Sequence, residues 1–226
     1  MIKIGCISDT HCQLDSVDIP DCDILVHAGD ALSRGTYSEW TRFLDRYSIL
    51  PHKHKIYVPG NHDRITEQDE DLIKKECAEA GVIYLNNTGI TLDGIKFWGS
   101  GITPRFHNWA WNRDSGISGT SYSRFEEDYD PIEPYWDMIP DDIDVLITHG
   151  PPNGILDLSV YSGDLCGCNY LLKKVEEIKP KYHIFGHIHQ WHGMKVGTTT
   201  FINASICNEQ YAPINKPIIV EIDDDL

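Results

Sequence analysis

The chain reads as an α/β protein. Three observations predict that class: short apolar runs ending in polar residues recur along it, a stretch of helical spacing separates two early runs, and 226 residues with 41% hydrophobic content can bury a sizeable core. Residues 2–8 and the run "DILVHA" at 23–28 have the length and composition of buried strands, and "KIYVPGNHD" at 55–63 is a third that closes in a Pro-Gly turn. Between the second and third, Trp40, Phe43, Leu44 and Tyr47 recur at helical spacing behind Thr36 and Ser38, both suitable caps. A second helix is predicted over 67–80, with acids in its first turn and Gly81 past its end.

"GITLDGIKFWGSG" predicts a hairpin, because Asp93-Gly94 suits the type I′ turn that joins antiparallel strands. Residues 101–140 carry Trp109, Trp111, Tyr122, Phe125, Tyr129, Tyr135 and Trp136 without a clear period, which predicts an irregular aromatic-rich lobe. Then follow a strand in "DVLITHG", a helix over 164–178 stopped by Pro180, a strand in "YHIFGHIH", late strands in "WHGMKV", "TTFINASI" and "PIIVEI", and a solvated "DDDL" tail. No repeat, low-complexity tract or linker divides the sequence, so residues 1–226 are expected to form a single domain.

Composition narrows the partners. A formal charge of −16 and an isoelectric point near 4.9 repel a polyphosphate backbone, so a nucleic-acid polymer is not expected. The start "MIKIGCIS" lacks the basic and apolar regions of a secretory signal, and no apolar window spans a bilayer, in agreement with a mean hydropathy of −0.34. A soluble protein without membrane contact is expected. Seven scattered cysteines do not form a paired framework, which predicts reduced thiols and a cytoplasmic location. "CGC" at 166–168 is too tight for a zinc knuckle and is expected to be a buried, inert pair.

The residues that follow the apolar runs carry the chemistry. They are Asp9 and His11, Asp30, Asn61 and His62, His149, and His187 and His189, delivered by five separate strand ends. In open α/β sheets the crevice beyond the carboxyl ends of the strands is where ligands bind, so groups far apart in sequence can converge there. Gly29, Gly60, Gly150 and Gly186 supply freedom to turn at those ends. With His62 set aside, two carboxylates, four imidazoles and an amide oxygen match the needs of two neighbouring divalent ions sharing one carboxylate.

The ordered pattern D-x-H, GD, GNHD, H and GHxH, running from residue 9 to residue 189, resembles the calcineurin-like metallophosphoesterase family. "GDLCGCNYLL", "HIFGHIHQWHG", "WGSGITPRFHNWAWN" and "TTTFINASICNEQYAPINKPIIVEI" are similar to its branch of metallophosphoesterase-domain-containing proteins, whose animal members are cyclic-nucleotide phosphodiesterases. The resemblance implies a four-layer αββα sandwich of two mixed sheets between helices. It also implies Asp9, His11, Asp30 and His189 as ligands of one metal, and Asp30, Asn61, His149 and His187 as ligands of the other, with Asp30 as the bridge. Manganese is the metal it implies first, with iron, zinc, nickel, cobalt or magnesium as alternatives. Some relatives replace the first His of GHxH, whereas this sequence retains His187.

The resemblance puts His62 in the family's catalytic place, either giving a proton to the departing alkoxide or stabilising the transition state, and Asp63 is placed either to orient it or to pair with Arg64. Protein phosphatases carry GDxVDRG, but here "GDALSRG" has Ser33 where the acid that orients the histidine would stand. Arg34 matches that motif and either binds substrate phosphate or opens a helix. Arg105, His107 and Trp109 in the aromatic lobe, with His192 after the metal pair, are the remaining candidate substrate contacts; Trp109 and Trp111 either stack a nucleobase or cover a second small core. The function implied is a metal-dependent phosphodiesterase for small phosphodiesters, 2′,3′- or 3′,5′-cyclic nucleotides among them, working by attack of a metal-activated hydroxide. A phosphomonoesterase and a non-catalytic metal-binding scaffold are the alternatives.

Overall fold

Each apolar run of the first third becomes a short strand, and the polar residues behind it become a loop. In the computed structural model, which describes residues 1–115 and 129–223, these are β1 (Ile2–Ile7), β2 (Ile24–His27), β3 (His54–Tyr57) and β4 (Ile83–Tyr84). They lie parallel to one another, and β13 (Ile218–Ile222) closes the sheet antiparallel to β1, in the order β13-β1-β2-β3-β4. The second sheet has the order β11-β12-β10-β9-β6-β5 and is built from β5 (Thr88–Leu92), β6 (Ile95–Ser100), β9 (Val145–Thr148), β10 (Tyr182–Phe185), β11 (Gly193–Lys195) and β12 (Thr200–Asn203). Its centre is parallel and its two outer pairs are antiparallel, so both sheets are mixed.

Strand alternation stacks the layers. Ile24 and Val26 of β2 face inward and pack in one cluster with Val145 and Ile147 of β9, whereas their neighbours Leu25 and Leu146 face out. Leu25 joins Trp40, Phe43 and Tyr47 of α1 (Tyr37–Ser48) and Ile73 and Cys77 of α3 (Glu70–Glu79). Leu146 joins Trp136 of α4 (Glu133–Asp137) and Leu171 and Val175 of α5 (Asn169–Ile178). The result is the expected four-layer αββα sandwich.

Local signals explain most boundaries. Thr36 caps α1 in a reciprocal box with Glu39, and Asp93 and Gly94 take φ of 49° and 86°, as the type I′ turn requires. The predicted 67–80 helix is instead two: α2 (Arg64–Gln68) ends at Asp69, whose carboxylate accepts the Leu72 N–H at 3.3 Å and so caps α3. The predicted 164–178 helix starts only at Asn169, because Cys168 exchanges backbone hydrogen bonds with the 151–153 segment. "YHIFGHIH" leaves the sheet after Phe185, and His189 opens a short 3-10 turn. The irregular lobe contains α4 and a two-stranded parallel pair, β7 (Thr103–Pro104) with β8 (Asn112–Arg113). Tyr122, Phe125 and the last three residues lie outside the described residues.

Candidate metal centre

The carboxyl ends of β1, β2 and β3 in one sheet and of β9 and β10 in the other meet along one edge, where a Ser8–Ser205 bridge joins the sheets. All eight residues singled out at strand ends lie in the loops leaving these strands. Asp9, His11, Asp30 and His187 take φ of 52°, 42°, 55° and 68°, a left-handed conformation that costs a non-glycine residue about 1–3 kcal/mol and concentrates at functional sites. The glycines serve this edge less by turning than by leaving room. Gly29 does have φ of 99°, but a Cβ at Gly60 would overlap Asp30 and one at Gly186 would overlap the Asp9 carboxylate.

Ligand atoms gather in three overlapping groups, each within 4.8 Å: Asp9, His11 and His189; His11, Asp30 and His62; Asp30, His149 and His187. The hydrogen-bond partners fix what these atoms present. His11 Nδ1 bonds the Leu32 carbonyl at 3.0 Å, His149 Nδ1 the Ala28 carbonyl at 2.9 Å, His189 Nδ1 the Asn208 carbonyl at 3.0 Å and His62 Nδ1 the Ser33 carbonyl at 2.8 Å. A carbonyl only accepts, so each Nδ1 carries the proton and each neutral ring aims an Nε2 lone pair inward.

Inside, acceptors therefore face acceptors. Nε2 of His11 lies 3.3 Å from Nε2 of His189, and Nε2 of His149 lies 2.8 Å from Asn61 Oδ1 and 3.3 Å from Asp30 Oδ2. Cations or added protons must lie between such pairs, and the mixture of imidazole, carboxylate and amide oxygen fits divalent metal ions. Asp9 is further held by the Ser205 hydroxyl at 2.8 Å and by the His187 N–H at 3.0 Å, and Asp30 Oδ1 by the His62 N–H at 2.7 Å.

The electrostatics point the same way. Burial alone would raise the Asp9 carboxyl, but the hydrogen bond and charge of His189 hold it well below the usual range. Asp30 is likewise held low against its burial, chiefly by His149. Burial would lower His149, yet the Asp30 carboxylate brings it up to about 9, while burial beside His149 pushes His187 down to about 4. Two buried carboxylates thus draw positive charge into this edge.

Aromatic rings border His62. Trp109 lies against it at 4.2 Å between centroids, tilted by 30°, with the Arg64 guanidinium 4.8 Å from the Trp109 ring. Tyr211, which carried no sequence signal of function, lies 4.7 Å from His11, 5.5 Å from His189 and 6.2 Å from His62. Its segment "NEQYAP" holds no metal-ligand pattern, and only the return of the chain between β12 and β13 brings it here; the pointer available was an aromatic residue in a polar turn before a proline.

Asp63 neither orients the His62 ring nor pairs with Arg64. Its carboxylate accepts the Leu32 and Gly60 N–H groups, each at 2.8 Å, and the Tyr57 hydroxyl at 2.9 Å, tying the β2 and β3 loops together. Trp111 is buried and donates from Nε1 to Thr66 at 2.9 Å, so it belongs to the core. Arg105 pairs with buried Asp114 through Nε at 2.8 Å and Nη2 at 3.2 Å. His107 is exposed against Phe106, Arg34 is exposed with its N–H on Glu39, and His192 is half-buried; among the described residues none of their side chains hydrogen-bonds to the cluster.

A four-layer sandwich that brings carboxylates and imidazoles from both sheets to one edge is the framework of a phosphoesterase that uses divalent metals. The chain belongs to the calcineurin-like phosphoesterase family, whose model matches residues 2–191. It is 38% identical to a UPF0046 protein of Caenorhabditis elegans, over 98% of this chain and 75% of that one. It is 34% identical to metallophosphoesterase domain-containing protein 1 of Homo sapiens, over 97% of this chain and 71% of that one. Among solved structures, phosphopantetheinyl hydrolase from Mycobacterium tuberculosis superposes with a TM-score of 0.61 over 96% of this chain and 95% of that one, at 16% identity. A second solved structure, TT1561 of Thermus thermophilus, superposes with a TM-score of 0.58 over 89% and 88%, at 14% identity. These two likenesses concern the fold.

Proposed function

We propose that the protein is a binuclear metal-dependent phosphodiesterase for small phosphodiesters, with 2′,3′- and 3′,5′-cyclic nucleotides as candidate substrates. Asp9, His11, Asp30 and His189 would hold one ion and Asp30, Asn61, His149 and His187 the other, manganese being the first choice. When bound, such ions supply positive charge for the phosphoryl oxygens and lower the pKa of a water.

The observation that carries the reading is His62. Its Nδ1–H is occupied by the Ser33 carbonyl, its ring joins the group of His11 and Asp30, and it is not needed to complete either ligand set. Protonated at Nε2, it would give that proton to the leaving oxygen. No acid is required to fix its tautomer, because the backbone of Ser33 does so, and the His62 N–H on Asp30 ties the proton donor to the bridging carboxylate.

Charge favours a diester over a monoester. A monoester near neutral pH is largely a dianion, whereas a diester carries one negative charge, and the chain as a whole carries −16. Among the described residues no lysine or arginine side chain hydrogen-bonds to a cluster residue, and Arg105 is committed to Asp114. Arg34 stays a candidate phosphate contact in this reading. The resemblance to metallophosphoesterase domain-containing protein 1 and the seven free thiols support a metal-dependent hydrolase of a reducing, cytoplasmic compartment.

Turnover of bis(p-nitrophenyl) phosphate and p-nitrophenyl phosphate by the manganese-loaded protein tests the substrate class. The proposal predicts the higher kcat/KM for the diester. A clear preference for the monoester would replace it with a phosphomonoesterase.

A further inference from the structure

Among the described residues, Tyr211 and Trp109 are the Tyr, Trp or Phe rings that pack against His11, His62 and His189. The tryptophans at positions 111 and 136 are buried, and each satisfies its indole N–H, on Thr66 and on Cys168. Tyr211 is 47% exposed and Trp109 is half-buried; among the described residues neither the Tyr211 hydroxyl nor the Trp109 indole N–H has a hydrogen-bond partner. Both rings instead pack on the cluster histidines, Trp109 on His62 and Tyr211 on His11 and His189.

Both are nevertheless held firmly against the candidate metal centre. The Ala110 N–H bonds the Asn61 carbonyl at 3.1 Å and Arg64 Nη2 bonds the Asn108 carbonyl at 3.0 Å, which fixes the backbone on either side of Trp109. Around Tyr211, Asn208 Oδ1 accepts the Gln210 N–H at 3.0 Å and the Ala212 N–H at 2.9 Å, and Gln13 Nε2 bonds the Tyr211 carbonyl at 2.6 Å. The backbone carbonyl of the same Asn208 accepts His189 Nδ1, so the turn that carries Tyr211 also orients a candidate ligand. Tyr211 has φ of 58°, a conformation that a bulky residue adopts only where the surroundings impose it.

We propose that Tyr211 and Trp109 are an aromatic lip that selects substrates by the flat ring of a nucleoside on the phosphate ester, while the phosphate lies at the histidine cluster. The proposal rests on the phosphoesterase reading of that cluster and adds what lies beside the phosphate. Bases stack on aromatic faces whatever their sequence, which suits two half-exposed rings beside the histidine cluster.

The test is calorimetric binding of adenosine 5′-monophosphate and methyl phosphate to the manganese-loaded protein. Methyl phosphate has no ring and reports what a substitution does to the phosphate end alone. Wild type is expected to bind the nucleotide at least about tenfold tighter than methyl phosphate. Trp109→Ala and Tyr211→Asn are expected to remove most of that ratio, and Tyr211→Phe to keep it; Asn tolerates left-handed backbone, so its turn survives. No preference in wild type, or a ratio intact in both Trp109→Ala and Tyr211→Asn, overturns the lip. If both fail to bind, the same comparison is made with the diesters adenosine 3′,5′-cyclic monophosphate and dimethyl phosphate; failure of all four overturns the phosphate site itself, and with it the reading on which the lip depends.

Discussion

His62 can be removed without removing a ligand assigned to either ion. In His62→Gln the proton donor is lost, so hydrolysis of a diester with an alkoxide leaving group should fall about 10²- to 10⁴-fold at unchanged metal content, measured by elemental analysis. A p-nitrophenolate leaving group needs less help and should show a smaller loss. Equal losses with both would remove the proton-donor role, and departure of metal would make His62 a ligand. A second prediction concerns His183, buried beneath the site with Nε2 2.8 Å from the Thr148 hydroxyl. Burial pushes its imidazole from 6.5 down to about 3. Between those values the unfolded chain takes up a proton that the folded chain does not, so this residue makes stability fall as pH falls, by at most about 1.4 kcal/mol per pH unit. Urea unfolding of His183→Gln at pH 6.5 and 5.5 should show a correspondingly flatter dependence. At this scale the sequence made the candidate ligands legible because each follows a strand within four residues. It could not separate Trp109 from Trp111, two residues apart, since only tertiary packing sends one to His62 and the other to Thr66.

Loops and strand ends carry the next scale. The turn after β10 has no room at Gly186 for a side chain, because the Asp9 carboxylate occupies it, and His187 follows with a left-handed backbone. Gly186→Ala should therefore weaken manganese binding at least about tenfold, as loss of ligand orientation does elsewhere. Thr36→Ala removes the cap of α1, a hydroxyl that bonds the Glu39 N–H and no candidate ligand, and should cost about 1 kcal/mol of stability with metal affinity unchanged. If both substitutions lowered affinity alike, Gly186 would have no special place at the site. Most strands and the first helix were legible from periodicity and caps. The break at Asp69 was not, because acids at a helix start and acids between two helices look the same in sequence. Nor was the exit from β10: His187 and His189 diverge through a turn after Phe185, not through the pleat of a continuing strand.

At the scale of the molecule, the two sheets share a core and meet at the Ser8–Ser205 bridge, with candidate ligands from both. Metal ions there would bind across the sandwich and offset locally the charge of a chain at −16 overall. The four layers were legible only through the resemblance, since the sequence specifies strands and faces but not which sheet each strand joins. The cluster of Nε2 lone pairs and carboxylates is the central claim, and titration of the metal-stripped protein with manganese by isothermal calorimetry tests it most directly. Two ions per chain are predicted, with both sites impaired in Asp30→Asn. Binding of one ion, or of none, would contradict the binuclear centre.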